Sequence, residues 1–173
     1  MKTLISYEEL SAEQAVAEQA ALAEVISACV ALGASIGFIS QDPAPVTRFW
    51  QGAIAGIASG DRRLLVARQQ ERIVATVMLQ PGGMPNGSHR AEIAKLLVHP
   101  SARRQGIARE MMLRVEQMAK QMGLTLLVLD TRTGDVAEQL YRSLGWQTGG
   151  QIPHYAQSTG GAYDATTLMY KLI

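Results

Sequence analysis

The residues that begin the helical pattern near position 106 could bind a diphosphate. A helix start leaves backbone N–H groups unpaired and partly positive, so an anion can bind there when no bulky side chain blocks its approach. Gly106 and Ala108 leave that approach open, and Arg103 and Arg104 would add charge-assisted hydrogen bonds. The candidate phosphate-binding residues are Arg103, Arg104, Gln105, Gly106, Ile107 and Ala108.

The surroundings of this turn make it more specific than its short Arg/Gln-x-x-Gly-x-Gly/Ala pattern alone. An apolar segment that ends at Val98, just before Pro100, predicts a strand ahead of the turn. Helical spacing follows up to Gly123, and the almost wholly apolar segment 124–130 predicts a strand that is buried on both faces. Together these patterns predict a strand–helix–strand unit over 89–130, with parallel strands and a right-handed crossover. The alternative interpretation is a solvated basic turn.

Two helices are predicted ahead of the first strands. Ser11 and Gln14 have the spacing of a capping box, which starts a helix that should end near Gly33. Asp42 starts a second helix, for which Gly60 is the expected end.

The remaining strands complete a mixed sheet. Segments 64–67 and 73–79 are short β-branched runs that predict a hairpin with its turn at 68–72. Further strands are expected near 146–152 and 166–172. This order of elements predicts an α/β fold in which helices cover the faces of a mixed sheet.

Side-chain directions near the candidate site follow from the same periodicities. The side chains of Glu92, Ala94 and Leu96 are predicted to share one face of their strand. Asp135 and Glu138 are predicted to form an Asp version of the capping box at the start of a short helix. The residues of that helix expected to pack inward are Val136, Leu140 and Leu144.

In this context the turn resembles the central motif of the GNAT superfamily of N-acetyltransferases, and the order of elements extends the resemblance over nearly the whole chain. The resemblance implies an acyl-CoA N-acyltransferase fold, with helices on both faces of a mixed, mostly antiparallel sheet. That sheet would be splayed between its fourth and fifth strands, which end here at Val98 and Asp130. The resemblance also implies acetyl-coenzyme A as cofactor, its pantetheine bound to backbone groups of Leu97 and Val98. Segment 137–146 resembles the family's C-terminal helix with its tyrosine, Tyr141.

Within the superfamily, segments 32–38 and 85–109 are similar to tabtoxin-resistance acetyltransferases. This similarity implies an acceptor that is a small, amine-bearing toxin or antibiotic-like molecule. It also implies a role in resistance.

Acetyl transfer from a thioester to an amine needs a base for the ammonium, and Glu92 and Asp130 are the candidates. Apolar neighbours of Glu92 would raise its pKa, and Asp130 ends a strand at the edge of the sheet where ligands bind in folds of this kind. Alternatively, Glu92 pairs with Arg90 or Lys95, and Asp130 caps the turn 131–134. The sequence does not rank the two acids.

The transfer also needs an acid for the departing thiolate and a donor for the oxyanion. The resemblance implies that Tyr141 is the acid, while the alternative is a core tyrosine whose hydroxyl is hydrogen-bonded elsewhere. A backbone N–H near Leu97 is the candidate oxyanion donor, since a bulge in that strand would free it.

Composition and spacing exclude several other classes of protein. A formal net charge of +1 predicts neither a nucleic-acid nor a membrane-surface partner, and no segment approaches about 20 apolar residues. The single cysteine, Cys29, and the absence of a secretory signal pattern favour the reducing cytoplasm. The scattered histidines predict no metal site, and no nucleophile elbow is present, so the amine should attack directly in a ternary complex. The loops expected to line the acceptor pocket are 33–38, 81–87 and 154–164.

The sequence therefore predicts one domain over residues 1–173 that moves an acetyl group from acetyl-coenzyme A to a primary amine of a small molecule. A cytoplasmic monomer or homodimer is expected. Two alternatives stay open at this point: a catalytically weak acyl-CoA-binding or sensing module, and a protein N-terminal acetyltransferase.

Overall fold

The computed structural model describes residues 3–173. Its helices are α1 (Ala12–Ala17), α2 (Gln19–Ala31), α3 (Pro43–Ser59), α4 (Ile107–Gln121) and α5 (Val136–Ser143). Its strands are β1 (Ile5–Leu10), β2 (Arg63–Gln69), β3 (Arg72–Pro81), β4 (Arg90–Val98), β5 (Leu126–Arg132), β6 (Gln147–Gln157) and β7 (Tyr163–Leu172). Short 3-10 turns at Pro85–Gly87 and Pro100–Ala102 flank β4.

The strands form one sheet with the order β1-β2-β3-β4-β5-β7-β6, in which only the β4–β5 pair is parallel. Helices α2 and α3 pack on one face, against β2, β3 and β4, while α4 and α5 pack on the other. The predicted mixed sheet with helices on both faces is confirmed. No helix within residues 3–173 is long and apolar enough to cross a membrane.

The N-terminal segment contains a strand that the sequence analysis did not predict. Strand β1 pairs antiparallel with β2, and its acidic side chains Glu8 and Glu9 bind Arg68 and Arg63 of β2. The capping box is confirmed, but the single predicted helix is divided at Glu18 into α1 and α2. The apolar alternation of β1 is limited to Ile5 and Tyr7, which pack against the core beneath α4, and so short a pattern did not predict a strand.

The β2–β3 hairpin turns more tightly than predicted. Gln70 and Glu71 have φ angles of 51° and 65°, which is the left-handed geometry of a two-residue hairpin turn. The predicted five-residue turn is wrong because Arg68, Gln69 and Arg72 belong to the ladder.

Strand β4 contains a β-bulge at the position nearest the predicted chemistry. The register shifts between Thr76 and Met78 of β3, so Lys95 and Leu96 lie opposite Val77 alone. Lys95 adopts a φ of 54°. The extra residue reverses the face of the sheet toward which the later side chains of β4 point.

The bulge overturns one predicted side-chain direction. Glu92 and Ala94 share the α2–α3 side of the sheet as expected, and Ala94 packs into that core. Leu96 packs instead against the core beneath α4, so the prediction that it shares their face is wrong.

Strands β4 and β5 separate soon after they begin. They are paired only from Arg90–Glu92 to Leu126–Val128, although both strands continue beyond that point. The splayed sheet implied by the resemblance is therefore confirmed. Leu127 and Leu129 are buried, but Val128 is only half-buried because it borders a cavity, so burial on both faces was a wrong expectation.

The start of α5 is held differently from the prediction. Asp135 forms no side-chain cap, since its Oδ1 accepts a hydrogen bond from Arg132 Nε at 2.9 Å. The buried Glu138 accepts the Gly134 N–H at 2.8 Å and pairs with Arg142 at 2.6 Å. The predicted capping box is therefore wrong, and Glu138 stabilises the preceding turn.

The inward face of α5 is also shifted. Val136 is 82% exposed because it lies at the open start of the helix, whereas Glu138 and Tyr141 are buried. Leu140 and Leu144 are half-buried. The expected inward packing of Val136 is wrong, and Glu138 and Tyr141 are the buried residues of the helix.

Candidate active site

The turn before α4 has the geometry of an anion-binding site. Gly106 is the N-cap residue of α4, in the left-handed conformation with φ 74°, and no side chain caps the helix. A Cβ atom on Gly106 would meet nothing within 4 Å, so no neighbouring group crowds the helix start. The unpaired N–H groups of such a start are the donors that the predicted phosphate site needs.

The two arginines of the turn do different things. Arg103 folds back onto the end of β4, where its Nε donates to the Val98 carbonyl at 3.3 Å and its Nη2 lies 3.9 Å from the Cys29 sulfur. Arg104 is exposed, with φ 62°. Arg103 thus stabilises the turn through its contacts with the end of β4 and with Cys29. In the described part of the chain, Arg104 forms no such contact and is available to an anion.

The other residues of the turn contribute mainly through the backbone. The side chain of Gln105 bonds to the Ala102 carbonyl and to Gln69, each at 3.1 Å. Ile107, the first residue of α4, is buried, and Ala108 is half-buried. The side chain of Ile107 cannot reach a ligand, so its predicted role would be carried by its N–H group.

The backbone of β4 beside the gap is only partly available. Leu97 lies opposite Thr76, in the same register as the hydrogen bond from His99 N–H to Val74 O at 2.7 Å. Along a strand of an antiparallel ladder, the backbone N–H and C=O groups of successive residues point alternately toward the paired strand and away from it. The N–H of Leu97 therefore points toward β3, and the polar groups of Val98 point toward the gap. Pairing of pantetheine with Leu97 and Val98 stays a prediction, which this register favours at Val98.

The backbone donors that the register displaces from the regular ladder near the gap belong to the bulge rather than to Leu97. Lys95 and Leu96 lie outside the ladder, and Thr76 Oγ1 donates to the Lys95 carbonyl at 2.8 Å, which fixes the bulge. The predicted bulge is present, but the register of Leu97 moves the candidate oxyanion donor to Lys95 or Leu96.

The two candidate bases line one cavity of about 390 Å³. Both Glu92 and Asp130 are exposed to it, and Thr166 Oγ1 lies 3.3 Å from Asp130 Oδ2, within hydrogen-bond distance. Among residues 3–173, no basic side chain lies within 4.0 Å of the carboxylate of Glu92, so the alternative pairing with Arg90 or Lys95 is not formed. The other lining residues are Val128, Leu129, Gly149, Tyr155, Leu168, Met169 and Tyr170.

Tyr141 lies on the opposite side of the sheet from the two acids. It packs into the core beneath α4 together with Leu129, and its ring centroid is 6.1 Å from that of Trp146. Burial raises the pKa of Tyr141 to about 12, and the charge of Asp130 contributes in the same direction. The phenol is therefore protonated at neutral pH, as a proton donor must be.

Lys95 is a charged residue of this region to which the sequence analysis gave no function. Its side chain is half-buried, with Nζ 5.1 Å from the centroid of the Phe49 ring. Burial lowers the pKa of Lys95, while the charges of Asp130 and Glu92 oppose that shift. The bulge turns this side chain to the face of the sheet on which the acids lie. No periodicity in the sequence predicts a bulge.

Two of the three predicted pocket loops meet and line a second cavity. Residues 34–39 and 156–159 line a cavity of about 270 Å³, whereas 81–87 does not contribute to it. Residues 154–157 belong to β6, so the prediction of a loop there is wrong. Arg132 connects the two segments, because it donates to the Gly33 carbonyl at 3.2 Å and lies 3.7 Å from Asp164.

An open helix start, a splayed pair of strands and two acids in one cavity are the features expected of an acyltransferase site. The sequence profile of the acetyltransferase (GNAT) family matches residues 27–146. The chain therefore belongs to the GNAT family of acetyltransferases.

Curated relatives match part of the chain. Human N-acetyltransferase 8 is 35% identical over 88 residues, which cover 50% of this chain and 39% of that protein. Rat N-acetyltransferase 8B is 36% identical over 88 residues, which cover 50% of this chain and 40% of that protein. The matched region thus spans well under half of each relative.

Solved structures match the fold over almost the whole chain. The ribosomal-protein-alanine N-acetyltransferase of Brucella melitensis has a TM-score of 0.80 at 19% identity, with coverage of 97% of this chain and 99% of that one. The protein yncA of Salmonella typhimurium, solved with its cofactor acetyl-CoA, has a TM-score of 0.76 at 16% identity, with coverage of 98% and 94%. At such identities the likeness concerns the fold.

Proposed function

We propose that this protein is an N-acetyltransferase of one domain that transfers an acetyl group from acetyl-coenzyme A to the primary amine of a small molecule, in a ternary complex. One observation carries the proposal. Glu92 and Asp130 line one cavity beside the splayed strands, and the protonated Tyr141 is buried on the other face of the sheet, where the charge of Asp130 acts on it. A base and an acid separated in this way suit an acyl transfer, which needs both at once.

When bound, acetyl-coenzyme A supplies the activated acetyl group, and the chain's own residues hold it and move protons. The N–H groups that begin at Gly106 and the guanidinium of Arg104 would hold the diphosphate. The backbone N–H groups of the bulge at Lys95 and Leu96 would stabilise negative charge that develops on the acyl oxygen.

Proton transfer is assigned to three side chains. Glu92 and Asp130, directly or through water, would take a proton from an acceptor that arrives as an ammonium ion. Tyr141 would return a proton to the sulfur on the other side of the gap. The sequence likeness to tabtoxin-resistance acetyltransferases supports a small toxin or antibiotic-like acceptor.

A thiol-release screen tests the proposal. Purified protein is supplied with acetyl-coenzyme A and separate panels of amino acids, amine antibiotics, polyamines and peptides. We expect thiol release with small amines, and its loss in the double variant Glu92→Gln, Asp130→Asn. Cofactor binding without thiol release in any panel would contradict the proposal and favour a sensing module. Release with peptides alone would favour a protein acetyltransferase, the activity named for the Brucella neighbour.

A further inference from the structure

The ammonium of Lys95 is a positive charge without a close partner beside the proposed acceptor site. Within residues 3–173, no carboxylate lies within 4.0 Å of Lys95 Nζ and no oxygen accepts a hydrogen bond from it. The charge of the half-buried Arg62 also acts on Lys95. Burial makes such an unpaired charge costly, and an incoming anion would offset that cost.

The ammonium is still reachable. Among the described residues, Lys95 Nζ forms no hydrogen bond, yet the buried side-chain polar atom that lacks a partner is Trp50 Nε1. Lys95 Nζ is therefore not fully buried. Its aromatic neighbour Phe49 packs edge-on against Phe38, with ring centroids 5.9 Å apart. Phe38 lines the cavity formed by residues 34–39 and 156–159.

Lys95 and the two acids lie on the same face of the sheet. The bulge turns the Lys95 side chain to the face on which Glu92 and Ala94 lie, where its Nζ contacts the ring of Phe49. The charges of Glu92 and Asp130, which line the first cavity, act on its ammonium. Phe49 in turn packs against Phe38 of the second cavity.

We propose that Lys95 binds an anionic group of the acceptor, so that the acceptor is a zwitterion of the amino-acid class. The ammonium of the acceptor would face Glu92 and Asp130, and its carboxylate would face Lys95. This inference rests on the proposed acetyltransferase function and specifies its substrate class. Lys95 is a specificity residue here and takes no part in proton transfer.

The test compares amino acids with their carboxamides, which keep the amine and side chain but lack the negative charge. The kcat/KM for thiol release is measured for each pair and corrected to the fraction of neutral amine. We expect the wild-type protein to prefer the acids by at least about tenfold, since a hydrogen bond between charged groups is the stronger kind. Lys95→Met should remove this preference, so that each acid and its carboxamide react at similar rates in the variant, because a tenfold ratio is lost with one such bond.

Two further variants keep the test interpretable. Lys95→Arg retains the charge and should retain a preference for acids. Lys120→Gln, a matched change at a surface ion pair with Glu116, should leave both rates unchanged. Binding of coenzyme A by Lys95→Met, measured by calorimetry, checks that this variant is folded.

The outcomes separate the inference from the function on which it rests. If amines are acetylated but acids and carboxamides react equally in the wild-type protein, or Lys95→Met keeps the wild-type ratio, the inference is wrong and the acetyltransferase function stands. The inference is also wrong if all the accepted amines lack an anionic group. If no amine at all releases thiol, the proposed function fails first.

Discussion

Replacing Gly106 by glutamate tests whether the open start of α4 binds the diphosphate. The new Cβ would meet no atom within 4 Å, so the cost to folding comes from the left-handed φ of 74° alone. That cost is about 1–2 kcal/mol for a residue with a side chain, which corresponds to a fall of roughly 2–8 °C in melting temperature at this chain length.

The effect on cofactor affinity should be larger and should depend on charge. Two like charges about 4 Å apart repel by about 1 kcal/mol in water and about 4 kcal/mol near a protein surface. Because the turn is exposed, we expect a loss of about 1–3 kcal/mol, or roughly 5- to 150-fold in Kd. Gly106→Gln has the same backbone strain without the charge, so the comparison of the two variants isolates the repulsion.

Calorimetry of acetyl-coenzyme A binding, together with thermal unfolding, is the assay. Gly123 provides a positional control, because it lies at the other end of α4 with φ 79° and equally open space around its Cα. Gly123→Glu should lower the melting temperature by a similar amount and leave the affinity unchanged. Equal affinities for Gly106→Glu and Gly106→Gln at low salt would refute the diphosphate assignment, since repulsion is least screened there.

Other predictions concern the proton-transfer groups and the turn before α5. The double variant Glu92→Gln, Asp130→Asn should lose about 10²–10⁴-fold in rate below the pKa of the acceptor amine and recover as pH rises above it; a rate that is unaffected near neutral pH would exclude both acids as bases. Tyr141→Phe should lower kcat by a similar factor, and an ultraviolet titration should lose one phenol with a pKa of about 12; activity equal to wild type would leave Tyr141 a core residue. Since Tyr141 stays protonated up to that pKa, no fall in rate should arise from it at lower pH. Glu138→Ala should reduce the free energy of unfolding by about 1–3 kcal/mol, because the Gly134 N–H loses its acceptor; denaturant unfolding measures this, with the exposed Glu13→Ala as control.

Much of the architecture could be predicted because its signals are local. The capping box of Ser11 and Gln14 and the end of α3 at Gly60 depend on neighbouring residues, and both are confirmed. The strand–helix–strand unit over 89–130 was equally accessible, since three changes of periodicity follow one another there. Such features need only short-range hydrogen bonds and the alternation of apolar residues.

The predictions that were missed or wrong involve side chains that had a choice of partners. Strand β1 was not predicted and is held by ion pairs to the distant β2, and Asp135 is drawn from its capping position by Arg132, three residues before it. Arg103 stays a predicted phosphate ligand, although part of its guanidinium binds the end of β4. A sequence pattern gives the type of a side chain and its place in an element, but not the competition among its possible partners.

The sequence by itself determined the family resemblance, the candidate phosphate-binding turn before α4, and the candidate acids and tyrosine, because these depend on residue type at fixed spacing. Only the tertiary structure decided that Glu92 and Asp130 share a cavity. The bulge in β4 turns Leu96 away and brings Lys95 to the face of the sheet on which these acids lie, and its position is set by the register with β3. A ladder register is a long-range property, since it reports how two strands pack together, and neither strand carries that information alone.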